Sequence, residues 1–137
     1  MGILVDSTVF IEAERKGLSG RQALAAISLR FPGENVAISV ITLAELAHGV
    51  ARAGTPPREA SRRLFIQELM AGVPAIPVTA SAALKAGEID GQNKAKGICV
   101  ALSDLLIGVT ALELGYKVAT ANVRHFQMIP GLGIVPF

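Results

Sequence analysis

Five short apolar runs set the frame for this chain: GILV at 2–5, VAISV at 36–40, PAIPV at 74–78, KVAT at 117–120 and GIVPF at 133–137. Each is too short for a helix, and β-branched residues suit most of them to strands. Longer segments with helical spacing lie between. Two of these run around 8–15 and 20–30, broken by Gly17, Gly20 and Pro32-Gly33. In TLAELAHGVAR (42–52), Leu43, Leu46, Ala47 and Val50 recur at i, i+3, i+4 and i+7. Phe65, Ile66, Leu69, Met70 and Val73 form the next stripe, behind Thr55 as a cap and Pro56 at the first helical position. Thr79 is placed to cap ASAALKAGEID (80–90), and the polar, glycine-bounded DGQNKAKG (90–97) reads as a loop or frayed helix end. SDLLIGVTALELG (103–115) reads as a helix with Ser103 as cap and Gly115 as stop. This alternation predicts a three-layer α/β/α sandwich with a central parallel sheet, in one domain spanning residues 1–137.

Composition narrows what such a fold can do. Hydrophobic residues make up 51% and charged residues 18%, enough apolar surface for a core and too little charge for disorder. Aromatics are 4%, without tryptophan, which argues against an extended surface of stacked bases. The net charge of +2 is compatible with a polyanionic partner. The lone Cys99 excludes an intramolecular disulfide and reads as a buried, inert thiol among apolar neighbours. MGILVDSTVF lacks the basic start of a secretory leader, and no apolar run reaches the roughly 18 residues of a membrane span. A soluble cytoplasmic protein, with no membrane partner, is expected.

Most charges fall in polar segments. Four polar residues do not: Asp6 follows GILV, Glu45 lies in an otherwise uncharged stretch, Asp104 follows GICVALS, and Asn122 follows KVAT. In an open parallel sheet the carboxyl ends of the strands share one edge, and ligands bind in the crevice there. The four residues can therefore converge although they are far apart in sequence. Three carboxylates in one pocket repel each other, and one would take up a proton unless a cation joined them. An all-oxygen donor set suits Mg2+ or Mn2+, which activates water and neutralises charge on a phosphodiester under attack.

Simpler readings stand beside this one. Thr42 and Glu45 have the spacing of a capping box, and Asp6 and Asp104 are placed to cap or complement helix starts. Glu113 is nine residues beyond Asp104, about 180° round the same helix, and should face away. Glu12 is a candidate for the periphery of the site, His48 reads as solvent-facing, and Arg124 and His125 are candidates for substrate contact.

The blocks LVDSTVFIE, ISVITLAELAHGVARA, GICVALSDLLIGVTALELGY and VATANVRHFQMIPGLGI, in that order, resemble the signature blocks of the PIN-domain ribonucleases. Within these the chain is most similar to the VapC-type toxins of toxin–antitoxin pairs. The resemblance implies endonucleolytic cleavage of RNA with a metal-activated water. It carries Asp6, Glu45 and Asp104 onto the acidic metal-binding positions, Glu45 directly or through water, and Thr8 and Thr120 onto polar positions flanking the pocket. Asn122 stands where many members have a fourth aspartate, and His125 where some have an acid, so one well-bound Mg2+ or Mn2+ is expected. A homodimer and a VapB-like antitoxin partner are also implied. Two alternatives are a non-catalytic PIN-like protein-binding module and a phosphoryl-transfer or receiver-like domain. The latter lacks the second acid that its phosphatases carry two residues after the first, where this chain has Thr8.

Overall fold

Strand β1 (Gly2–Val5) lies at the centre of a five-stranded sheet in the order β3-β2-β1-β4-β5. In this computed structural model, which describes residues 1–137, every strand pair is parallel. The other strands are β2 (Asn35–Ser39), β3 (Ala75–Ile76), β4 (Lys117–Thr120) and β5 (Ile134–Pro136). The helices are α1 (Ser7–Arg15), α2 (Gly20–Arg30), α3 (Val40–Ala51), α4 (Pro56–Gly72), α5 (Ala80–Ala95) and α6 (Leu102–Leu114), with a single 3-10 turn at Val123–His125. No helix is long and apolar enough to cross a membrane.

The side-chain alternation of the strands divides the core in two. Ile3, Val5, Ile38 and Ala119 face one way and pack on Val9 and Phe10 of α1, Ile27 of α2 and Phe65 and Leu69 of α4. Leu4, Ala37 and Val118 face the other way and pack on Ala82 and Ala86 of α5 and Leu105 and Ile107 of α6. Leu4 pairs in register with Ala37 on one side and Val118 on the other. The result is the expected three-layer α/β/α sandwich. The chain order reverses between β1 and β4, so the crevice at the switch point opens above Val5 and Thr120.

Several local expectations fail, each for a physical reason. Helix α3 begins at Val40, because Ser39, the last residue of β2, caps it by accepting from Ile41 N–H at 3.0 Å. Thr42 is thus inside the first turn, fully buried with its Oγ1 unpartnered, and there is no capping box. Helix α6 begins at Leu102 after Ala101, which has no side chain to cap with, so Ser103 is a first-turn residue. The segment 90–95 is the last part of α5, where the i,i+4 pair Asp90–Lys94 at 3.2 Å supports the helix. Cys99 is exposed: on the surface connection from α5 to α6, Ile98 and Val100 turn inward and Cys99 turns out. Met70 is also exposed, outside the contact made by Phe65 and Leu69. Strand β3 keeps only two residues between Pro74 and Pro77, at the edge of the sheet. Elsewhere, Thr55 and Thr79 cap as expected, and Gly115 ends α6 in the left-handed conformation, φ 70°.

A candidate active site at the carboxyl edge of the sheet

Asp6 leaves the end of β1, where its N–H still bonds Ala119 C=O at 2.9 Å. It occupies the cap position of α1, yet its side chain caps nothing. Its Oδ2 accepts from Thr8 Oγ1 at 2.7 Å and from Thr120 Oγ1 at 2.9 Å. Each hydroxyl in turn accepts a backbone N–H, Thr8 from Ala121 and Thr120 from Asn122. One carboxylate oxygen of a buried aspartate is thus fixed by two neutral donors, and the other is left for a ligand.

Asp104 stands in the first turn of α6, buried, at the positive end of the helix dipole. His125 lies against it, Nδ1 at 3.0 Å from Oδ2, and the other ring nitrogen is 2.9 Å from Asn122 Nδ2. In the tautomer that donates Nδ1–H to Asp104, Nε2 accepts from the Asn122 amide. Asn122, His125 and Asp104 therefore form one chain of hydrogen bonds. A Cβ at Gly108, one turn after Asp104, would meet the Cδ1 end of the Ile129 side chain, which follows the turn carrying His125.

Glu45 comes from the second turn of α3 and accepts from Ser7 Oγ at 3.1 Å. The three acids share one electrostatic field. Burial, then repulsion from Asp6, raises the Asp104 carboxyl above its ordinary range, against the opposing pull of His125. Burial also raises Glu45, with Ser7 opposing and Asp6 and Asp104 adding to it. No lysine or arginine pairs with any of the three. No three acid, histidine or cysteine side chains lie close enough together to hold a metal ion by themselves. A cation here would need water to complete its shell, as Mg2+ commonly does.

Of the residues singled out from the sequence, Asp6, Glu45, Asp104, Asn122, Thr8, Thr120 and His125 come together at this edge. Arg124 sits on the exposed side of the 3-10 turn, without an ion pair. His48 is exposed, Glu12 pairs with Arg15 at 3.1 Å, and Glu113 bonds Thr79 Oγ1 at 2.7 Å. Ser7 was missed. Its signal was its place directly after Asp6, but its partner lies 38 residues away.

The family model described as PIN domain matches residues 3–131. The chain belongs to the PIN-domain family. Among PIN-domain relatives it is similar to Ribonuclease VapC10 of Mycobacterium tuberculosis, 35% identical over 130 residues, covering 95% of this chain and 90% of the relative. Its fold matches that of VapBC2 from Rickettsia felis, solved bound to a DNA fragment from its promoter, with a TM-score of 0.82 at 23% identity over 100% of this chain and 99% of that one. It also matches VapBC-5 from Mycobacterium tuberculosis, a member of the VapBC family of toxin–antitoxin systems, with a TM-score of 0.72 at 26% identity over 99% and 98% of the two chains.

Proposed function

We propose that this PIN domain is the endoribonuclease toxin of a VapBC-like toxin–antitoxin pair, dependent on a divalent cation held by Asp6 and Asp104, and by Glu45 directly or through water. The observation that supports the reading is the meeting of three carboxylates at one edge of the sheet, two of them raised by burial and mutual repulsion, with no lysine or arginine paired to any of them. The similarity to a ribonuclease supports RNA as the substrate.

An all-oxygen set of this kind suits Mg2+ or Mn2+, which when bound lowers the pKa of a water and offsets charge on the phosphodiester being cleaved. The chain's residues divide the remaining work. Thr8 and Thr120 fix Asp6 so that one oxygen stays available. Ser7 holds one oxygen of Glu45 and leaves the other toward the site or a water in it. His125, with Asn122 behind it, orients Asp104. Asn122 brings a carbonyl oxygen without adding a fourth negative charge, which favours one tightly held cation over two.

A VapB-like antitoxin is the expected partner, as for the similar VapBC assemblies, and a homodimer is the expected toxin form. The assignment is tested by Asp6→Asn and Asp104→Asn. Both are expected to abolish Mg2+-dependent cleavage of RNA and to keep the wild-type circular dichroism spectrum. Wild-type cleavage by either variant would remove that residue from the site.

A further inference from the structure

A cavity of about 500 Å3 opens between α1, α2 and the end of β5. That is within the size range of pockets that enclose small molecules. Its floor is apolar: Val9, Ala13 and Ile27 are buried core residues. Phe137, at its edge, carries the only exposed aromatic ring among the five phenylalanines and the single tyrosine. That ring is held in place. Arg30 stacks over it at 4.6 Å and donates to Pro136 C=O, and Phe31 packs beside it with ring centres 6.2 Å apart.

The rim is cationic. Lys16 and Arg30 line the cavity, and neither pairs with a carboxylate. The one acid on the lining, Glu12, is already met by Arg15. The cavity also adjoins the acidic pocket. Its wall includes Ala121, whose N–H bonds Thr8 Oγ1, the hydroxyl that donates to Asp6. Asn122 is the next residue.

We propose that this cavity is a subsite for one unpaired nucleotide of the RNA strand, adjacent to the bond that is cut. The inference rests on the reading of the acidic pocket as the site of RNA cleavage. A strand whose phosphodiester lies among the acids must continue past them, and this is the cavity that begins where β4 delivers Asn122. An unpaired base offers apolar faces for the floor and for the Phe137 ring. Its phosphate offers charge for Lys16 and Arg30. An apolar peptide anchor would fill the floor and leave Lys16 and Arg30 without an anionic partner. Occupancy by a nucleotide sets the register of the strand, so the cavity contributes to the choice of cleavage position. Phe137, Lys16 and Arg30 act here as binding residues.

The test uses a fluorescein-labelled single-stranded RNA oligonucleotide and the full chain. Phe137→Leu keeps the packing on Phe31 and loses the ring; Lys16→Ala removes a rim cation from an exposed position. The Kd by anisotropy and the KM for cleavage should both rise about tenfold in Phe137→Leu, while kcat stays within about twofold. Abasic substitution along the oligonucleotide leaves the protein untouched. One abasic position should weaken binding to wild type and have little effect on Phe137→Leu. Unchanged Kd in both variants overturns the proposal, as does an abasic penalty equal in wild type and variant. Loss of antitoxin binding with unaltered RNA affinity also overturns it and gives the cavity to the protein partner. If wild type cleaves RNA and the cavity variants bind normally, the subsite fails and the active-site reading stands. If the cavity penalties appear without any cleavage, the cavity binds an unpaired nucleotide but its place beside a cut bond is overturned, together with the active-site reading.

Discussion

Two threonine hydroxyls spend their hydrogens on one oxygen of Asp6, and this sets how the site responds to small changes. Thr120 is fully buried, so Thr120→Val removes a donor from Asp6 and an acceptor from Asn122 N–H without opening a cavity. It should cost about 1–3 kcal/mol of stability, read by urea denaturation. It should also lower cleavage by loosening Asp6. Glu45→Gln keeps the shape and the bond to Ser7 but loses the charge. Most of the cleavage activity should go, measured at saturating Mg2+; retention of wild-type kcat would make Glu45 a bystander. Asp6 and Asp104 were legible in the sequence because each follows an apolar run and the sheet edge gathers such residues. Glu45 was legible as a candidate, but the cap assigned to its helix was wrong. Spacing sees Thr42 and Glu45 three apart; it does not see that Ser39, at the strand end, has already capped the helix. The Ser7–Glu45 bond depends on how α1 and α3 lie against each other, which no local pattern records.

Helix α6 carries Asp104 yet starts without a side-chain cap. Ala101 is exposed with φ −61° and ψ 137°, already in the conformation a capping residue needs. Ala101→Ser should therefore stabilise the protein by about 1 kcal/mol, visible as a higher midpoint of chemical denaturation. Gly108 leaves room on α6 for the side chains of Ile129 and Leu132. Gly108→Ala should displace the buried Ile129 side chain and cost about 1–3 kcal/mol by overpacking, read by urea denaturation. Unchanged stability would show that the Ile129 side chain makes room for a methyl group without cost. The helix and strand order was readable because apolar runs and helical stripes alternate cleanly. The end of α5 was not, since Gly91 and the polar residues around it look like a loop; the Asp90–Lys94 pair and packing on α6 extend the helix.

At the scale of the whole molecule, the order β3-β2-β1-β4-β5 puts the switch point between β1 and β4 and so concentrates negative charge at one edge. That charge is a cost to the metal-free fold. Glu45 and Asp104 hold their protons more tightly when folded than when unfolded, chiefly because burial disfavours the charged form. The folded state then binds more protons across the window just above the ordinary carboxylate range. Their contribution to stability is favourable when they are protonated and is lost as pH rises through that window. Metal-free protein should accordingly lose stability from mildly acidic to neutral pH, with a shallower slope in Glu45→Gln. Added Mn2+ should recover most of the loss at neutral pH and little of it in acid. A slope identical in wild type and Glu45→Gln would show that Glu45 does not feel the cluster.

In the proposed function these acids, with a divalent cation, direct water at an RNA phosphodiester. The most direct test is the end-group chemistry of RNA cut by the purified protein, with and without Mg2+, beside Asp104→Asn. Attack by water leaves a phosphate monoester on one fragment and a free hydroxyl on the other, and the cut should vanish both on chelation and in Asp104→Asn. Products ending in a 2′,3′-cyclic phosphate, or cleavage that survives chelation, would place the attack on the ribose hydroxyl and contradict the account.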